Sequence, residues 1–438
     1  MDSLASLQPE YEVVIVGGRP AGASLAARLG AQGVSTLVID KATFPSLPSV
    51  PSCGVLYPQT TALLDELEID EQDYCGDDLR IRRFVMQISG AFHSVFPMVQ
   101  AHGRDYLCGI DRARFDAAVR GTLDRQPTVA VSDGVSFTDL VRDDDGQVTG
   151  VRILDAEGEP RTIRARAVIG ADGRFSTVAR KAGARVLEDY ADRTSTAHFA
   201  SWEDVAPFDD DPQPSLCVYT TMRGIDVLFF PTGGGRVFVC THQRSDRVRQ
   251  VDDPLEFYLR TIERVPEAWR RLQGAKRNDD LVGLRRVGNR LLEPGGPGWA
   301  LVGDAIHHKD PVDGQGIYDA LLGSKILAEE LQPWRKGKRG WDEMVARYDR
   351  RFRDGTHGMF MATMGRLRRE LYDEPPTLVI HTLLRWMLTD DEYRQQFLGF
   401  LCRTVPPDRW LTPGLMGRTA LRGMLRDMRR VFRRSGAA

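Results

Sequence analysis

The chain has 438 residues, of which 42% are hydrophobic and 27% charged, and its formal net charge is −2. This is the composition of a globular protein with a sizeable buried core, in one large domain or two, and it excludes a global field that would draw in nucleic acid or an anionic membrane. The cysteines Cys53, Cys75, Cys108, Cys217, Cys240 and Cys402 are scattered without CxxC pairs. They read as reduced thiols in a cytoplasmic protein, neither a disulfide framework nor a zinc site, so no metal is expected.

In chain order, Met1 to Glu10 is polar and lacks the basic and apolar regions of a signal peptide. Tyr11 to Val16 reads as a strand ending in Gly17-Gly18, Ala21 to Ala31 has helical composition, and Thr36 to Ile39 is a second strand closed by Asp40. Strand, glycine turn, helix and strand make a βαβ unit. Pro45, Pro48, Pro51 and Pro58 then mark a loop. Thr60 to Leu67 predicts a helix, Arg80 to Met98 alternates like strands, and Arg112 to Leu123 predicts a helix. Val141 to Ile153 reads as a hairpin turning at Asp143 to Gly146, and Ala167 to Ile169 as a strand. From Val186 to Arg285 the pattern is β-like with Pro and Gly punctuation. Trp299 to Val302 predicts a buried strand, Gly316 to about Leu331 a helix, and 340–438 an arginine-rich helical region. No stretch approaches the roughly 18 consecutive apolar residues of a transmembrane helix.

Three constellations carry chemistry. In the first, Gly17, Gly18, Pro20, Ala21 and Gly22 form a turn before a helix, with Asp40 and Lys41 ending the next strand. Backbone N–H groups at such a helix start suit a pyrophosphate, and the carboxylate suits ribose hydroxyls. Arg19 occupies the middle glycine position of the G-x-G-x-x-G frame; it either lends its guanidinium to a phosphate or points to solvent. In the second, Val168-Ile169-Gly170-Ala171-Asp172-Gly173 leads to Ser176, an N-cap in position to start a helix. The third is Gly303-Asp304-Ala305, followed by Pro311, Gly314, Gln315, Gly316 and Ile317. Here Asp304 suits ribityl hydroxyls, and a helix start faces developing negative charge.

In this order and spacing the motifs resemble the FAD-dependent monooxygenases of the p-hydroxybenzoate hydroxylase-like (group A) flavoprotein family. Its wider superfamily includes flavin-dependent halogenases and geranylgeranyl reductases. Asp111 to Asp116 also matches that family's R-x-x-L/F helix start, with Arg112 at the arginine that lies near FAD. The resemblance implies an α/β fold: a Rossmann-like FAD-binding domain of the glutathione reductase type with an inserted β-sheet substrate domain and a helical C-terminal region. The expected division assigns 8–79, 109–185 and 286–335 to the discontinuous FAD-binding domain, 80–108 and 186–285 to the substrate domain, and 336–438 to the helical region. The resemblance puts ADP on the first turn and Asp40, pyrophosphate near Asp304 and Arg112, and the isoalloxazine beside Pro311 to Gly316. Departures from the family are Arg19, Tyr318 where many members have Asn, and His307-His308-Lys309-Asp310.

The implied activity is hydroxylation or epoxidation of a small organic, aromatic or polycyclic substrate through a flavin C4a-hydroperoxide, with NAD(P)H and O2. Reduction by a separate flavin reductase is an open alternative. So are a geranylgeranyl reductase-type activity, a flavin halogenase (Trp202 lacks the neighbours of the halogenase tryptophan motif) and a flavin-holding protein without turnover. No catalytic triad is expected. His307, His308 and Cys53 are the candidates near the chemistry, against an exposed loop for the histidines and a half-buried thiol for Cys53. Phe229, Phe230 and Pro231 read either as a wall over the flavin ring or as core. The stretch 411–438 carries seven arginines and one acid, Asp427, hence +6. With Leu421, Leu425 and Val431-Phe432 interleaved, it reads as a solvated helix or tail, or as a surface for a membrane or an acidic partner.

Overall fold

The computed structural model describes residues 7–48, 54–155, 157–248, 253–373 and 376–435. Strand Glu10–Val16 is apolar and buried from Val13 to Val16, and pairs in parallel with Thr36–Asp40 on one side and with Pro160–Gly170 on the other. Val129–Asp133 extends the sheet beyond Thr36–Asp40, and Trp299–Leu301 extends it beyond Pro160–Gly170, both in parallel. Ser136–Arg142 and Val148–Leu154 add the hairpin expected from the sequence, and Gly295–Gly296 closes the other edge.

The register aligns the carboxyl ends of the five parallel strands. Val16 lies opposite Ile39 and Gly170, Asp40 opposite Asp133, and Gly170 opposite Leu301. All three sequence motifs therefore leave the sheet at one edge, where ligands bind in open α/β sheets. The helices Pro20–Gly30 and Gly316–Arg335 pack against each other and share one core with these strands.

A second sheet runs in the order Lys276–Arg277, Ser195–Glu203, Arg236–Arg244, Ile225–Gly233, Ser215–Thr220, Arg83–Ile88, Phe92–Pro97, with Val282–Val287 beside Ser195–Glu203. Strand alternation gives it two apolar faces. Phe84, Phe199 and Phe230 meet the C-terminal helices at Leu388, Phe397 and Leu401. Val85, Trp202 and Phe229 meet Tyr258 and Ile262 on the other side. Phe229 and Phe230 are thus core on opposite faces of one sheet.

The region 186–285 reads as β-like with Pro and Gly punctuation, and here the structure differs in part: Pro254–Glu263 and Pro266–Leu272 are helices. Both prolines that read as breaks sit at the first helical turn, where the missing N–H costs nothing. Asp253 caps the first helix, accepting hydrogen bonds from the N–H of Leu255 and Glu256. The C-terminal part is helical as expected: Trp341–Leu367, Thr377–Leu388, Asp391–Leu401 and Pro413–Ser435. Among the described residues no helix is long and apolar enough to cross a membrane.

Candidate active site

At the carboxyl edge of the parallel sheet lies a cavity of about 390 Å³, the size of a small-molecule site. Twelve of the sixteen residues expected to hold a cofactor line it: Gly17, Pro20, Ala21, Asp40, Lys41, Arg112, Asp172, Asp304, Pro311, Gly314, Gly316 and Ile317. Gly18, Gly22, Gly303 and Gln315 do not. Gly18 donates its N–H to Asp40 Oδ2 at 2.7 Å, and the Gln315 amide is turned away to the carbonyl of Leu401 at 2.9 Å. Cys53 lies outside the described residues.

Four helices begin at this cavity, at Pro20, Arg112, Thr177 and Gly316. Two starts are closed by their own side chains. Asp111 accepts the N–H of Arg114 at 3.0 Å, and Ser176 accepts that of Ala179 at 2.9 Å. Asp172 adds a second layer at the latter, accepting the N–H groups of Thr177 and Val178 at 2.7 and 3.1 Å. Burial pushes its carboxyl up against those bonds. The helices Pro20–Gly30 and Gly316–Arg335 have no side-chain cap. Their first N–H groups are left to water or a ligand, and each helix start favours negative charge.

The Gly17 turn explains its own composition. Gly17 has φ +108°, and a Cβ there would overlap the Ala171 carbonyl, because the turns after Glu10–Val16 and Pro160–Gly170 pack directly together. Asp40 holds this turn: besides Gly18, its Oδ1 accepts the N–H of Ala42 at 2.8 Å. Each oxygen still has a lone pair for a hydroxyl. Arg19 lines the cavity and is not turned to open solvent. It pairs with buried Asp116 at 2.6 Å, donates to the carbonyls of Ser46 and Leu47, and lies over the Phe44 ring. Arg112 shares Asp116 at 3.0 Å.

The loop from His307 to Gly316 is built from buried charge. His307 and His308 are both buried, which rules out the exposed-loop alternative. His307 packs edge-on against Phe352 and Phe360, and burial lowers its pKa to about 3, so it is neutral at pH 7. His308 is lowered by burial to about 4, with Nδ1 3.3 Å from the Asp304 carbonyl. Lys309 Nζ lies 3.0 Å from Asp319 Oδ2, an ion pair outside hydrogen-bond angles, and Asp319 Oδ1 takes Arg403 at 2.7 Å. Despite burial, these two cations hold the Asp319 carboxyl below its usual range.

Asp310 is fully buried and accepts from three directions: His242 Nε2 at 2.9 Å, Val312 N–H at 3.0 Å and the Ser195 hydroxyl. Its own N–H donates to Asn289 Oδ1 at 2.7 Å. On the other side of the His242 ring, Nδ1 lies 3.5 Å from Asp226 Oδ2. Burial opposes charge on His242, but the Asp310 and Asp226 carboxylates outweigh it and raise its pKa to about 10. A buried imidazolium between two carboxylates therefore clamps Pro311. Sequence reading missed this clamp and the Lys309–Asp319–Arg403 pairs. The one local signal for the clamp was the polar run Thr241-His242-Gln243 inside an otherwise apolar strand.

The donor set fits FAD: two open helix starts, a carboxylate at the second strand end and a cavity lined by residues of all three motifs. The model of the family described as FAD binding domain matches residues 10–354. Over 364 residues the chain is 28% identical to a menaquinone reductase of Mycobacterium tuberculosis, covering 79% of this chain and 83% of the relative. Over 337 residues it is 26% identical to a 3-(3-hydroxy-phenyl)propionate/3-hydroxycinnamic acid hydroxylase of Burkholderia cenocepacia, covering 73% of this chain and 56% of that one. The fold matches the solved structure of the flavin-dependent brominase Bmp2 with TM-score 0.73 at 19% identity, covering 95% of this chain and 100% of the other.

Proposed function

Because the chain belongs to the FAD binding domain family of flavin-dependent oxidoreductases, we propose that it is a monooxygenase inserting one oxygen atom of O2 into a small organic substrate, with NAD(P)H as electron donor. The observation that carries the flavin part of this reading is the pair of uncapped helix starts on one cavity. When bound, FAD supplies the redox chemistry with O2. The Gly17 to Gly22 turn would receive the pyrophosphate, Asp40 the ribose hydroxyls, and Asp304 with Arg112 the middle of the cofactor. The N–H groups of Gly316 and Ile317 would meet the electron-rich ring edge.

The chain's own residues then supply rigidity and charge. Asp310 and His242 hold Pro311 against the cavity, while Lys309 and Arg403 balance Asp319 one turn inside the Gly316 helix. Neutral His307 and His308 add no charge beside the loop at pH 7. A second reading, a flavin-dependent reductase that adds two hydrogens to its substrate, is favoured by the menaquinone reductase relative, which is matched over more of its own length than the hydroxylase.

Oxygen uptake and product mass separate the two. The purified protein is given NADH or NADPH with 3-(3-hydroxyphenyl)propionate, menaquinone and a panel of polycyclic aromatics, with and without O2. A monooxygenase consumes one O2 per NAD(P)H and places oxygen-18 from labelled O2 in the product. Anaerobic turnover that adds two hydrogens and no oxygen overturns it in favour of the reductase. A protein that neither carries FAD nor takes it up overturns both.

A further inference from the structure

The Pro413–Ser435 helix is strongly amphipathic, and its inner face is already occupied. Leu415 and Thr419 are buried. Gly423 lets the backbone lie directly against Trp386 of the Thr377–Leu388 helix, where a Cβ would collide with the indole. Arg422 pairs with Asp390 at 2.6 Å and Asp427 with Arg385 at 2.7 Å, so the two helices run antiparallel. Arg418 pairs with Glu392, and Arg426 donates to the Trp386 carbonyl at 3.1 Å.

The opposite face is apolar and open. Leu421, Met424, Leu425 and Met428, spaced i, i+3, i+4, i+7, are exposed by 53%, 44%, 43% and 47%. Leu378 and Val379, at the start of the neighbouring helix, are 81% and 55% exposed. Six of the thirteen exposed large hydrophobic side chains among the described residues thus lie on two helices of 12 and 23 residues in a chain of 438. That clustering is not the scatter of an ordinary surface. In the sequence Arg429, Arg430, Arg433 and Arg434 follow the stripe, with no acid from 428 to 438.

We propose that this helix docks the protein on an anionic lipid bilayer, laying the Leu421–Met428 stripe among the acyl chains, with the positive charge of the 411–438 stretch selecting anionic lipid. A second copy is a poor occupant. Asp427 is the one acid of the helix and is already paired, so in either orientation arginines would meet no free carboxylate. The proposal is independent of the flavin chemistry, and its test needs no turnover.

Full-length protein is sedimented with vesicles of phosphatidylcholine alone and with about 30 mol% phosphatidylglycerol. Binding to the anionic vesicles should be at least about tenfold tighter and should weaken as salt rises. Leu421→Glu with Leu425→Glu should lower it by about tenfold or more, with circular dichroism, melting temperature and flavin content unchanged. Met424→Asp with Met428→Asp should do the same and serves if the first pair misfolds. The proposal is overturned if the wild type ignores anionic vesicles, or if the folded variants bind them equally. It is overturned too if the wild type is a dimer that these variants split, with no lipid binding.

Discussion

The turn at 17–22 and the loop at 307–316 border the same cavity, yet they are fastened in different ways. The first is held by neutral backbone geometry and by Asp40, which ends the adjacent strand. The second hangs on buried charged and polar groups delivered from far along the chain: Asp226, His242 and Arg403, with Ser195 and Asn289 as neutral partners. A turn made by glycine geometry tolerates local change as long as the backbone conformation survives. A loop held by compensated buried charges fails when one partner is lost, because the remaining charge stays desolvated.

Substitution within the clamp should have the largest effect. Asp310→Asn removes the charge that His242 faces at 2.9 Å and should cost about 3–5 kcal/mol in chemical unfolding, with loss of flavin retention. A variant as stable as the wild type would mean the clamp carries no charge. Gly17→Ala comes next. Its φ of +108° and the contact with Ala171 predict a cost of about 1–3 kcal/mol, read together with flavin affinity. If flavin is retained at wild-type affinity, the first turn does not carry the cofactor.

Stability should also change with pH in two separate windows. His242 titrates at about 10 when folded against 6.5 ordinarily, so its contribution is complete below pH 6.5 and is lost as pH rises toward 10. His307 and His308, lowered to about 3 and 4, run the opposite way: the unfolded chain takes up their protons below pH 6.5 and the folded chain does not, so stability falls as pH drops from 6.5. Each such group contributes up to about 1.4 kcal/mol per pH unit. His307→Phe, which preserves the ring contacts, should flatten the acid limb in unfolding titrations, and an unchanged limb would count against a neutral His307. The smallest effect belongs to Arg19→Ala. Asp116 keeps Arg112, so the loss should be about 1 kcal/mol or less, with flavin affinity changed less than about tenfold. A larger drop in affinity would make Arg19 a phosphate ligand after all.

Much of the fold was legible because its signals are local. The strand-turn-helix of 10–30 is written in five apolar residues, a glycine turn and an alanine-rich helix. The motifs at 170 and 303 repeat the pattern of strand into glycine turn. The helices at 254–263 and 266–272 were missed because a proline breaks a helix or starts one according to its position in the turn. For His307 and His308 an exposed loop stayed open beside a place near the chemistry, because nothing in a short polar run announces that Phe352 and Phe360 will pack on His307.

By itself the sequence determined the parallel-sheet framework and which residues reach its carboxyl edge, since backbone conformation and apolar periodicity are properties of neighbours in the chain. Only the tertiary structure decided that Arg19 belongs to Asp116, that Asp172 closes a helix start, and that His242 carries a charge between Asp226 and Asp310. Ion pairing and desolvation depend on which distant groups share a buried volume, and that is set when the two sheets and the C-terminal helices pack together.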